Sequence, residues 1–120
     1  MEKFKEWCRA AGGIPKTRGD GSALCMLADD FDIILSHSKR TGSLHIDAIT
    51  DSIHNETSIY LEKGSEVHLA GSRAKPSLRV VSPDGKELFS ISAFKRGDLP
   101  VVVKVRASAD EGDVDMMLHI

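Results

Sequence analysis

Phe4, Trp7, Cys8 and Ala11 recur at i, i+3, i+4 and i+7, which is one stripe of an amphipathic helix, while Lys3, Lys5, Glu6 and Arg9 occupy the other side. Gly12, Gly13 and Pro15 follow and are expected to end that helix, because glycine accepts a left-handed cap and proline cannot continue the turn. Lys16 to Ser22 is polar and glycine-rich, as a loop would be. From Ala23 the apolar runs shorten to strand length and are divided by turn residues. Ser22 to Ala28 and Phe31 to His37 read as two strands separated by Asp29-Asp30, with Ser38-Lys39-Arg40-Thr41-Gly42 as the next turn. Leu44, Ile46 and Ala48 then alternate with His45 and Asp47, the period of two that marks a half-buried strand.

Further strands are expected at Ser58 to Leu61, Val67 to Ala70, Leu78 to Ser82 and Val101 to Val105. The clearest local signal is Leu78 to Ile91, where Pro83-Asp84-Gly85 splits two apolar arms. Proline presets φ, aspartate bonds nearby backbone, and glycine accepts positive φ, so this stretch predicts a hairpin. Ser108 to Ile120 carries Asp110, Glu111, Asp113 and Asp115 ahead of Met116-Met117-Leu118, and fits either a short terminal helix or a frayed tail. The expected class is therefore α+β: one domain over 1–120, an N-terminal helix, then a mostly antiparallel sheet of about seven or eight strands.

Composition narrows the function classes. At 120 residues, 41% apolar and 28% charged, the chain has the balance of one globular domain. No apolar run approaches the roughly 20 residues that span a bilayer, so no membrane partner is expected. Met1 to Trp7 has no apolar h-region, which points to the cytoplasm. A formal charge of −2 shows no basic excess, so no nucleic-acid partner is expected. Cys8 and Cys25 lack CxxC spacing and read as buried free thiols, with a disulfide left open. Arg18-Gly19-Asp20 reads as a loop tripeptide and not as an adhesion motif.

Candidate chemistry is sparse. The five histidines, at 37, 45, 54, 68 and 119, share neither HxH nor HxxxH spacing, so no metal centre is expected from motif alone. His45 and Asp47 alternate on one strand and face one way, a pair that could bind a metal or exchange protons. No G-x-S-x-G elbow and no glycine-rich phosphate cradle occurs, and no catalytic residue is assigned.

The order helix, glycine-rich loop, then successive hairpins resembles one module of the intracellular haem-utilisation proteins of the HutX/ChuX and HemS type. The similarity rests mainly on Ser58 to Asp98: Ile59-Tyr60-Leu61-Glu62-Lys63, Val67-His68-Leu69, the Ser77 to Ile91 hairpin and Lys95-Arg96-Gly97-Asp98. Ala23 to His37 is similar to the family's first strand pair. Val80-Val81 replaces a double Phe, and Tyr60 stands where the family often has histidine; phenolate also ligates ferric haem. The resemblance implies Tyr60 as axial ligand, His54 and His68 as alternatives, and Arg73, Lys75 and Arg96 as partners of the haem propionates. The bland alternative for Tyr60 is a half-buried strand aromatic with a local acceptor.

The resulting expectation is a small cytoplasmic haem carrier, a homodimer without chemistry of its own. Its rival is a dimeric structural or regulatory interaction module that binds no haem, and an enzyme using His45 and Asp47 comes third. On the haem expectation, hemin titration gives a Soret band that saturates at about one per chain and that Tyr60→Phe shifts or abolishes; a flat titration rejects it.

Overall fold

The apolar stripe of the first segment does form a helix. In the computed structural model, which describes residues 2–28, 30–38, 40–51, 54–109 and 112–120, α1 spans Glu2–Ala10. Phe4, Trp7, Cys8 and the following Ala11 are buried. Gly12 ends the helix with φ +91, its N–H donating to the carbonyl of Arg9 (3.0 Å) while that of Gly13 donates to the carbonyl of Cys8 (2.8 Å). This is the paired closure of a Schellman cap, which satisfies two helix carbonyls that would otherwise be orphaned.

The remainder is a set of antiparallel strands: β1 (Ile14–Thr17), β2 (Ala23–Ala28), β3 (Phe31–Ser38), β4 (Ser43–Ile49), β5 (His54–Tyr60), β6 (Glu66–Gly71), β7 (Pro76–Val81), β8 (Glu87–Arg96), β9 (Leu99–Ala109) and β10 (Gly112–His119). They form two five-stranded meanders, β1-β2-β3-β4-β5 and β10-β9-β8-β7-β6. This corrects the expected α+β domain with one sheet of about seven or eight strands: the fold is β-rich, with two sheets and one short helix among the described residues. Asp29, Lys39, Asp110 and Glu111, which figured in the expected turns and acidic tail, lie outside the described residues.

Each difference has a physical cause. No side chain of β1 is buried, so this edge strand leaves no apolar alternation to detect. β5 begins at His54 and not at Ser58, because Glu56 and Ser58 belong to its solvent side. The C-terminal segment is neither helix nor frayed tail: β10 pairs with β9 from Gly112 to His119. Arg106 Nε donates to Asp115 Oδ1 at 2.9 Å, so this carboxylate forms a cross-strand pair and caps no helix. The break between sheets falls at Leu61 to Ser65, where Gly64 takes φ +92 and packs beside Pro83. Folding the chain over at that point lets two alternating sheets bury their apolar faces against each other.

The inner faces supply the core. Cys25, Phe31, Ile33, Leu35, Ile46 and Ile59 come from the first sheet, and Leu78, Val80, Phe89, Ile91, Val103, Val105 and Leu118 from the second. α1 packs on β1 and β2 of one sheet and on β6 and β7 of the other. Trp7, stacked near Phe4 with ring centroids 5.7 Å apart, donates its Nε1 hydrogen to the Pro76 carbonyl at 3.0 Å. Cys8 and Cys25, both fully buried, form a disulfide, which corrects the expectation of free thiols. Gly13 lies against it: a Cβ there would sit 2.8 Å from Cys25 Sγ.

The hairpin anticipated at Pro83-Asp84-Gly85 joins β7 to β8, with Val80 opposite Phe89 and a bulge at Val81. Gly85 takes φ +89, and its N–H donates to the Ser82 carbonyl at 2.9 Å. Asp84 is held below the ordinary carboxylate value of 3.8, first by the Ser82 hydroxyl and then by the Lys86 amide.

Two predictions follow from these ties. The bridge closes a separation of 17 residues, so its reduction should lower unfolding free energy by about 3 kcal/mol in urea titration; Cys8→Ser with Cys25→Ser should do the same. Because the Asp84 pKa is lowered on folding, its charge stabilises the hairpin above the unfolded value of 3.8, and this is lost as pH falls through the lower folded value. Asp84→Asn should therefore lower Tm at neutral pH and lose that difference in acid.

Candidate functional site

Alternation along β3 and β4 sends Leu35 and Leu44 inward, with His37 exposed near the end of β3, and alternation on β7 does the same for Leu78 and Val80. Near the N-terminus of α1 these side chains do not meet fully. They leave a cleft of about 350 Å³ between the sheets, completed by Phe4, Leu61 and Val67. Glu2, Lys3 and His37 are its polar rim. Its volume lies at the low end of small-ligand pockets, which run from about 300 to 1,000 Å³.

The rim has a positive bias. Lys3 is tethered over the opening, its Nζ donating to the Val67 carbonyl at 2.7 Å. Glu2 is turned towards Lys5, 3.6 Å away. The N-terminus of α1, with its unpaired N–H groups and partial positive charge, faces the same end. A shallow depression lined by Arg40, Lys63, Glu62 and Tyr60 adjoins the cleft, since His37 and Leu61 line both.

The residues assigned to haem do not converge. Tyr60 is 61% exposed and lines the depression beside the cleft; its ring lies over Gly42, where a Cβ would come within 2.8 Å of Tyr60 Cε2. His54 is at the other end of β5, roughly 20 Å away at about 3.4 Å per residue. His68 belongs to the other sheet and pairs with Glu66 at 3.0 Å. Arg73 and Lys75 lie at the β6–β7 turn, and Lys75 Nζ is 5.1 Å from the centre of the Phe94 ring. Arg96 ends β8. A hydrogen bond from the Lys95 amide to the Ala74 carbonyl (2.9 Å) brings these two turns together, but neither lines the cleft.

Two clusters of polar side chains occupy the outer sheet faces. On the second sheet, Lys75, Arg79, Lys104 and Arg106 surround Ser77, Ser90 and Ser92, with Arg79 paired to Glu87 at 2.8 Å and Ser77 to Ser92 at 2.8 Å. On the first sheet, the anticipated His45–Asp47 pair is present, with His45 Nε2 at 3.3 Å from Asp47 Oδ1. The β4–β5 register brings Glu56 and His54 to it from the neighbouring strand. No HxH motif could reveal that grouping, because its members meet across strands.

Cleft residues were equally hidden in the sequence. Lys3 and His37 are one charged helix residue and one strand-end histidine there. Only the packing of α1 on both sheets makes them rim partners. Among the described residues no buried side-chain nitrogen or oxygen lacks a partner, so no orphaned polar group inside the core calls for a ligand. No helix of the described residues is long and apolar enough to cross a membrane.

No family model matches the chain, nor does any curated protein or solved structure, so no family assignment is supported, that of the haem-utilisation proteins included.

Proposed function

We propose that this protein is a binding module for a small amphiphile, an aliphatic tail ending in an anionic group such as a carboxylate. The observation that carries this reading is the cleft itself: an aliphatic and aromatic lining closed at one end by the core and bordered at the other by Lys3 and His37. A tail among Phe4, Leu35, Leu44, Leu78 and Val80 leaves water without needing hydrogen bonds. The anionic end stays at the rim, beside the Lys3 ammonium and the positive end of α1. Arg40 and Lys63, around the adjoining depression, add to the positive field there.

The Cys8–Cys25 bridge bears on where such a protein works. Persistent disulfides belong mainly to oxidising compartments, so the bridge favours such a compartment over the cytoplasm expected from the N-terminal residues.

Magnitudes define the test. Each methylene taken from water contributes about 0.8 kcal/mol, so removing two from the tail should weaken binding roughly tenfold. Straight-chain carboxylates of increasing length are titrated by calorimetry and by the emission of Trp7, which stacks near Phe4. Affinity should climb with length until the cleft is full, then level off. Lys3→Ala should weaken the carboxylates and leave the matching alcohols unchanged, whereas Val67→Phe should block both. Affinity independent of tail length, or insensitive to Val67→Phe, would refute the proposal.

A further inference from the structure

The outer face of the first sheet carries a cluster that the cleft does not use. His45 and Asp47 alternate along β4, and His54 and Glu56 along β5, so each pair points to the solvent side of its strand. The antiparallel register sets Asp47 opposite Glu56, His45 opposite Ser58 and Ile49 opposite His54. Each histidine is therefore diagonal to the carboxylate of the other strand, within the reach of long side chains.

The ligand atoms of His45, Asp47 and Glu56 all lie within 4.8 Å of one another. His45 Nε2 is 3.3 Å from Asp47 Oδ1 and 3.6 Å from Glu56 Oε2. His54 Nε2 is 3.0 Å from the same Asp47 oxygen and 3.8 Å from the same Glu56 oxygen. Zinc bonds to imidazole nitrogen and carboxylate oxygen are about 2.0–2.2 Å, and a tetrahedron with such bonds has edges of about 3.3–3.6 Å. The distances from His45 Nε2 to the two carboxylate oxygens, 3.3 and 3.6 Å, match that edge.

Charge points the same way. Two carboxylates directly opposite on neighbouring strands repel and destabilise the pairing unless something positive stands between them. Among the described residues, the ion-pair partners of Asp47 and Glu56 are these two imidazoles, with no lysine or arginine. Asp47 is only 17% exposed, so solvent shields it poorly. A divalent cation would neutralise both carboxylates at once.

A second observation concerns the other ring nitrogen of His45. Its Nδ1 is 2.6 Å from Ser58 Oγ. With the hydroxyl accepting, Nδ1 carries the hydrogen and the Nε2 lone pair is free to take an ion that the carboxylates also hold. Metal-ligating histidines are oriented by such a bond from their second nitrogen.

We propose that His45, Asp47 and Glu56 form a divalent transition-metal site, with zinc as the favoured ion, water as the remaining ligand, Ser58 as the residue that positions His45 and His54 as the residue that positions Asp47. An imidazole nitrogen beside two carboxylate oxygens suits zinc or its neighbours, whereas magnesium and calcium prefer oxygen alone. β5 is an edge strand of its sheet. The metal would clamp it to β4.

The test uses tag-free full-length protein, stripped with chelator and titrated with zinc by calorimetry and with cobalt by visible absorption. One ion per chain is expected, with the intense cobalt bands of a four-coordinate site and a higher Tm on zinc addition. His45→Ala should weaken binding at least tenfold, and Ser58→Ala and His54→Ala, which remove the residues that position the ligands, about tenfold each. His119→Ala, on β10 of the other sheet, should leave it unchanged. Because all three ligands face outward, the metal-free variants should keep the far-UV spectrum and Tm of the stripped protein. Binding that survives Asp47→Asn with Glu56→Gln, a stoichiometry of one ion per two chains, or no saturation by about millimolar zinc would each overturn the proposal.

Discussion

α1 must satisfy both sheets at once, and most of the architecture depends on that constraint. Cys8 ties it covalently to β2, while Trp7 bonds the carbonyl of Pro76 where β7 begins. The two attachments come from adjacent residues and lead to opposite sheets, so the helix fixes the separation of the layers on that side. On the other side, β5 contacts β9 directly. A sheet pair wedged by a helix along one side does not close uniformly, and the cleft lies where the wedge begins. Gly13 shows how tight the tie is, since even a methyl group there would press on the disulfide.

Alternation divides the chemistry between two environments. Inward positions supply Phe31, Ile33, Ile91 and Val105, buried with no polar atom to satisfy. Outward positions of the same strands hold the imidazoles, carboxylates, arginines and serines, which meet across strands and not along them. The cleft and the proposed metal site therefore occupy opposite faces of the first sheet. β4 contributes to both: Leu44 lines the cleft, and His45 and Asp47 belong to the cluster on the other face. A change in the register of β4 would disturb the two together, since a slip of one residue exchanges the faces.

Turn chemistry is the most local part of the fold and was the most legible. Ser82, Pro83, Asp84 and Gly85 close their hairpin through bonds among near neighbours, so a short window contains all the information needed. Arg18-Gly19-Asp20 likewise belongs to the turn between β1 and β2, where Asp20 accepts hydrogen bonds from Ser22. The helical stripe of Phe4, Trp7, Cys8 and Ala11 was legible for the same reason: its period arises within one element. The edge strand β1 was not, because pairing with one neighbour demands hydrogen bonds and little apolar alternation, nor was β10, whose acidic residues also suit the start of a helix.

By itself the sequence determined that the first segment is helical, that the chain turns at Pro83-Asp84-Gly85, and which side chains of β4 face inward. These follow from φ preferences and from periods of 3.6 or 2 residues, both short-range properties. Only the tertiary structure decided that the strands divide into two sheets after β5, that Cys8 finds Cys25, and that Lys3 meets His37 at a cleft. It alone set His54 and Glu56 beside His45 and Asp47. Those outcomes depend on register and on packing between segments distant in the chain, where many pairings satisfy the same local pattern and the shared burial of two faces selects one.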